Sequence, residues 1–238
     1  MNSPPIPFKT GYLSVGDGNE IYWEMSGNPL GIPALYLHGG PGGGISGGYR
    51  KHFDPETFLI VAFEQRGCGR SRPNVTSELS KLGTNTTEAL IADIELLRVF
   101  LQVDKFLLLG ISWGCTLALA YAHKHPSHVS ALVLAAVNTT TAEEVHWITE
   151  GMRRIFPKEW ETFAASSGCL PGEKMIDGYY RLITSEDRSI REKAAVAWCA
   201  WEDTHVSLDP EYKSYPAFQD LHFALPFCDP LLETFWIS

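Results

Sequence analysis

The sequence predicts an α/β fold, a mostly parallel sheet flanked by helices, on three observations. Between Gly11 and Ala136, short β-rich runs alternate with helical stretches, the order that builds a sheet with helices layered on it. Lys105 to Ile111 is a continuous apolar run, as expected of a parallel strand buried on both faces. Gly110-Ile111-Ser112-Trp113-Gly114 joins that run to a helix rich in small residues, and glycines at those two positions mark a sharp strand-to-helix turn.

The elements follow in order. Gly11 to Val15 and Glu20 to Met25 flank Gly16-Asp17-Gly18-Asn19 and read as a hairpin. Ala34 to Leu37 is the next strand and ends in His38-Gly39-Gly40-Pro41-Gly42-Gly43-Gly44, which cannot be helical. Phe58 to Phe63 is a strand leading into Glu64-Gln65-Arg66-Gly67-Cys68-Gly69-Arg70-Ser71, and a polar loop reaches Thr87. Thr87 to Leu101 has near-helical apolar spacing, with Thr87 as N-cap and acidic Glu88 and Asp93 early in the helix. Thr116 to His125 is a helix stopped by Pro126, and Val129 to Val137 reads as a further buried strand. From Thr141 to Trp201 β-branched runs vanish and Trp, Glu and Lys recur at helical intervals, the texture of an inserted helical cap. Asp209 to Ser238 carries Pro210, Pro216, Pro226 and Pro230 with no clear period and reads as irregular. The expected organisation is a core over 1–138 and a cap over 139–238 that diverges from about 209.

Composition narrows the partners. In 238 residues, 28 acidic side chains against 19 Lys plus Arg give a net charge of -9, which opposes nucleic acid and anionic lipid surfaces. Pro4, Pro5 and Pro7 interrupt the N-terminus where a secretory signal needs an apolar stretch, and no run approaches the roughly 18 apolar residues of a membrane span. A cytoplasmic protein is expected. The five cysteines, Cys68, Cys115, Cys169, Cys199 and Cys228, are widely spaced, without a CxxC pair, and predict neither a disulfide framework nor a zinc site. His123, His125 and His128 surround Pro126 at a helix end, a structural placement, since residues two apart do not share a helical face. No cofactor or metal is expected, and the sequence does not fix an oligomeric state.

Ser112 is the candidate nucleophile. A strained turn would lift its hydroxyl above the sheet, and the Trp113 N–H, at the start of the next helix, would face a developing oxyanion. The glycine loop after His38 would supply the second donor, and Gly40 is chosen for it; His38 itself is read as shaping the loop. A phosphate cradle fits these glycines less well, because no Gly-Lys-Ser/Thr follows and Pro41 removes an amide.

Taken together, His38 to Gly44, Gln65 to Ser71, Ser112 to Gly114, Thr116 to Ala122 and Trp198-Cys199-Ala200-Trp201-Glu202 resemble the proline iminopeptidase (prolyl aminopeptidase) family of serine peptidases. The resemblance runs from about Gly11 to Glu202. It implies an α/β-hydrolase fold with an inserted helical cap and release of N-terminal proline from peptides through an acyl-enzyme on Ser112. It also implies that Glu202 binds the substrate's amine and that Trp198 and Trp201 lie near the prolyl ring. Glu64 stands where the family has Asp, and Ile111 replaces a Gly. The triad's acid and histidine should follow the cap, yet beyond Asp209 no β-rich run ends in Asp and no later strand precedes a histidine. His222 falls in a cap-like stretch, and Ala224-Leu225-Pro226-Phe227-Cys228 does not reproduce the family's second amine-binding motif. A chain lacking the last core strands is expected from this, with weak or no peptidase activity and with Val129 to Val137 uncovered as an apolar edge. The alternatives are an impaired fragment that only binds, or a related esterase on the same fold.

Overall fold

The computed structural model describes residues 5–206. The expectations for Asp209 to Ser238, including His222, Cys228 and the absent acid and histidine, lie outside the described residues. Two compact units divide the chain, Met1–Thr139 and Thr140–Ser238.

In the first unit, β1 (Lys9–Gly16) and β2 (Asn19–Gly27) form the expected antiparallel hairpin. Its turn passes through Asp17 and Gly18 with φ of 52° and 74°, the left-handed pair whose twist matches that of the strands. Next come β3 (Ile32–Leu37), β4 (Phe58–Phe63), β5 (Phe106–Ile111) and β6 (Val129–Ala135). The sheet runs β1-β2-β4-β3-β5-β6, with β2 antiparallel to both β1 and β4 and the pairs β4-β3, β3-β5 and β5-β6 parallel. Leu59 to Phe63 of β4 are all buried, as an apolar run at the middle of a covered sheet requires.

Helix α1 (Thr87–Phe100) buries Leu90, Ile91, Ile94 and Leu97. Its N-cap is Thr86 and not Thr87: the Thr86 hydroxyl accepts the Ala89 N–H at 3.2 Å, because Thr87 is already inside the first turn. Helix α2 (Trp113–Lys124) starts directly after Ser112, three residues before the expected Thr116. Asp93 sits in the buried face of α1 and is fully enclosed. Its carboxylate takes a bidentate pair of hydrogen bonds from Arg66, Nε at 2.6 Å and Nη2 at 2.8 Å. Arg66 also donates to Asp17 Oδ2 at 2.9 Å and to the Val15 and Thr84 carbonyls at 2.9 and 3.1 Å. Burial opposes the guanidinium's charge, but the bonds to Asp93 and then Asp17 outweigh it and raise the Arg66 pKa.

Within the described residues the reading of Val129 to Val137 as a buried strand is corrected, while its reading as an apolar edge fits the strand order. Among the described residues β6 pairs on one side only, with β5. No residue of β6 is fully buried, and Leu132, Val133 and Val137 are 40%, 47% and 59% exposed.

The second unit is helical throughout its described part: α3 (Ala142–Thr149), α4 (Pro157–Ser166), α5 (Met175–Ile183) and α6 (Arg188–Val206). A capping box opens α3, with Thr141 and Glu144 each satisfying the other's amide. The core is aromatic. Phe163 stacks on Tyr179 at 4.6 Å and on Trp201 at 5.1 Å, and Trp198 meets Tyr179 edge-on at 5.2 Å, geometries that add to the burial of large rings. Among the described residues no helix is long and apolar enough to cross a membrane.

Candidate active site

Ser112 stands between β5 and α2 with φ 55° and ψ -123°, a backbone conformation that costs on the order of 1–3 kcal/mol for a residue with a Cβ. The strain is held by tight packing on both sides. A Cβ at Gly110 would lie 2.4 Å from the Gly114 carbonyl oxygen, and one at Gly114 would lie 2.1 Å from that of Leu37, so neither position accepts a side chain. Two backbone bonds pin the turn: the Ser112 N–H donates to Ala135 O at 3.0 Å, and the Ser112 carbonyl accepts from the Cys115 N–H at 2.8 Å. The residue is partly exposed. Among the described residues its hydroxyl has no hydrogen-bond partner.

The glycine loop lies against this turn. A Cβ on Gly39 would come within 2.7 Å of the Ile111 carbonyl oxygen and 3.0 Å of Ser112 Cβ, which fixes the approach of the loop to the serine. Gly40, with φ 117°, folds over the backbone amides of Gly42 and Gly43, and the Gly43 N–H returns to Gly39 O at 3.1 Å. Trp113 is the first residue of α2, so its amide belongs to the unpaired N–H groups at the positive end of the helix.

His38 is buried at 2% exposure and both of its ring nitrogens are used. Nε2 accepts the Gln65 N–H at 3.1 Å, which leaves the proton on Nδ1 to donate to Gly39 O at 2.9 Å. Burial lowers its pKa, so it is a neutral brace of the loop, in agreement with the sequence reading. Gln65, which the sequence did not single out, joins the two halves of the turn. Its Nε2 donates to His38 O at 2.9 Å and its Oε1 accepts from Trp113 Nε1 at 3.1 Å. Glu64, the departure from the family's Asp, reaches under Gly69. There it accepts the amides of Arg70 and, at 3.3 Å, of Ile45, together with Arg70 Nη2 at 2.9 Å. The added methylene therefore still ties the 64–71 loop to the glycine loop.

In the helical unit, Trp198 and Trp201 lie in the aromatic core at 3% and 2% exposure, and Trp201 Nε1 donates to Ile148 O at 2.9 Å. Glu202 follows on α6. Its Oε2 is buried without a hydrogen-bond partner among the described residues. Its pKa is pushed up to about 8, first by desolvation and then by the nearby Asp203 charge, against a lowering hydrogen bond from Trp198. A buried carboxyl with one oxygen unpaired among the described residues gains most from ionising when a cation is placed beside it. It also carries a stability signature. Between the unfolded value near 4.5 and the folded value of about 8, the folded chain holds a proton that the unfolded chain has released, so stability falls as pH rises through that window. Urea unfolding followed by tryptophan fluorescence is expected to show that decline in the wild type and a flatter profile in Glu202→Gln; identical profiles would contradict the assignment.

Comparison with known proteins agrees with this architecture. A family model described as the alpha/beta hydrolase fold matches residues 33–235. The chain is 42% identical over 220 residues to a proline iminopeptidase of Neisseria meningitidis, covering 92% of this chain and 69% of that protein. The chain belongs to the proline iminopeptidase family. A probable proline iminopeptidase of Streptomyces coelicolor is 43% identical over 227 residues, covering 93% of this chain and 68% of its own length. Among solved structures, a proline iminopeptidase-related protein of Thermus thermophilus superposes with a TM-score of 0.52 at 26% identity, over 83% of this chain and 66% of that one. The chain thus spans about two thirds of the length of the relatives it matches.

Proposed function

We propose that this member of a hydrolase family acts on peptides with a free N-terminal proline, through Ser112 as nucleophile. The carrying observation is the strained turn at Ser112, held against a loop of glycine amides with the first amides of α2 beside it. In the proposed reaction Ser112 Oγ attacks the prolyl carbonyl, and the Trp113 and Gly40 N–H groups hold the oxyanion. The Oγ–carbon bond replaces the amide bond as the peptide amine leaves with a proton. Water then releases proline from the acyl-enzyme. Glu202 takes the substrate's cationic amine, with Trp198 and Trp201 flanking the prolyl ring, as the resemblance to the family implies; the buried, unpartnered Oε2 supports that role. The Neisseria meningitidis relative is named a proline iminopeptidase and the Streptomyces coelicolor one a probable proline iminopeptidase, which favours this substrate class over the esters of other members of the fold. A cytoplasmic location goes with this reading.

A second reading follows from the sequence expectation. Attack by serine needs a base, and the sequence expectation of a missing acid and histidine concerns residues outside the described ones; a chain without that base would bind such peptides and turn them over poorly. Purified chain should be compared on a prolyl chromogenic amide, its N-acetyl counterpart and the matching prolyl ester. Preference for the free amine in kcat/KM is expected, with the absolute rate separating the two readings. Equal kcat/KM with and without the acetyl group would reject the aminopeptidase assignment.

A further inference from the structure

The helix-end histidines, read from sequence as unsuited to a common ligand, come together in space. The helix-face spacing rule does not govern them, because α2 stops at Lys124 and the chain turns through His125 and a short 3-10 segment, Pro126–His128. Glu95 on α1 completes the group, and one ligand atom from each of Glu95, His125 and His128 lies within 4.8 Å of the others. We propose that Glu95, His125 and His128 form a binding site for a divalent transition metal of the zinc class, separate from Ser112 and its loop.

The donor set is the first argument. Two imidazoles and one carboxylate, with a fourth position left to water, suit a borderline cation such as Zn²⁺ better than Mg²⁺ or Ca²⁺, which prefer oxygen ligands. Distance is the second. Ligands bonded at about 2.0–2.2 Å around a tetrahedral zinc stand about 3.3–3.6 Å apart, and His128 Nδ1 is 3.1 Å from Glu95 Oε2 in a hydrogen bond, an edge that a metal takes over when it displaces the shared proton. The His125 and His128 rings lie parallel, 8° apart in plane and 5.6 Å between centroids, and His125 supplies the third ligand atom within the same 4.8 Å. All three residues are half-buried, which limits competition from water without sealing the site.

The surroundings of the carboxylate are built in the manner of ligand support. Tyr121 Oη donates to Glu95 Oε2 at 2.9 Å; Arg98 donates through Nη2 to Oε1 at 2.6 Å and through Nε to Oε1 and Oε2 at 3.2 and 3.0 Å. Arg98 is itself anchored on the Val103 and Asp104 carbonyls at 2.6 and 3.2 Å, so it holds Glu95 in place while its charge keeps the affinity moderate. A bound ion would clamp α1, the end of α2 and the entry to β6 together.

Isothermal titration of the metal-stripped full chain with Zn²⁺ is expected to give one site of micromolar affinity. Co²⁺ loading should give the visible absorption of a tetrahedral centre. His125→Ala and His128→Ala are each expected to weaken binding by at least 10-fold, whereas His123→Ala, an exposed imidazole on the same helix end, leaves it unchanged. Should a variant fold poorly, X-ray absorption of the zinc-loaded wild type decides, with two imidazole nitrogens and a carboxylate oxygen expected. A wild type that binds no zinc at one equivalent, or folded variants that bind as tightly as it does, would overturn the site.

Discussion

Replacing Ser112 with alanine is expected to abolish stoichiometric capture of a fluorophosphonate and, with it, any prolyl-amide turnover the chain supports. Among complete serine hydrolases the loss from removing the nucleophile is on the order of 10⁴- to 10⁶-fold. The substitution removes one oxygen from a partly exposed position and leaves Gly110, Gly114 and the backbone bonds to Ala135 and Cys115 untouched. Relief of a polar group should leave unfolding unchanged to within about 0.5 kcal/mol, so loss of labelling is chemical and not a symptom of unfolding. Mass spectrometry of the labelled peptide checks the site. Labelling that persists in the folded variant would place the nucleophile elsewhere.

Asp93→Ala is expected to destabilise the sheet unit by about 3–5 kcal/mol, because it strands a buried guanidinium without its counter-charge. Arg66 is 3% exposed and Asp93 fully buried, so neither water nor salt can replace the pair. The same guanidinium reaches Asp17 and the Val15 and Thr84 carbonyls, which means that the hairpin turn, the loop before α1 and α1 itself lose a common anchor. Asp17→Asn serves as the control: its side chain is 60% exposed, Asn tolerates the left-handed φ of that turn position, and surface pairs contribute about 0–1 kcal/mol. Urea midpoints of the two variants should therefore differ widely; similar midpoints would show that the buried pair is not what holds these segments.

The turn at Ser112 was legible because its chemistry is written locally. Glycines two residues either side of a serine, after an apolar run, leave few other folds for the backbone, and the 2.1 Å and 2.4 Å approaches show why those residues carry no side chain. Start points of helices were less legible, as at Trp113 and Thr86, since a turn forced from outside overrides local propensity. Contacts between distant segments left no local trace. Asp93 read as a dipole-complementing acid early in a helix, while its partner Arg66 lies 27 residues upstream. Gln65 sits in a recognisable motif, yet its bonds to His38 and Trp113 appear only when both strand ends meet. Apolar content cannot tell a covered strand from an open one, so Val129 to Val137 supported both readings until the strand order was known.

That strand order bears on how the polypeptide behaves in company. Among the described residues β6 pairs on one side only, and from Val129 to Val137 no lysine, glutamate or proline interrupts that rim, so the strand itself carries nothing that turns away a second extended segment alongside. Capture by a fitting strand and stacking with identical copies then compete for the same row of amides, and dilution favours the first by slowing the second.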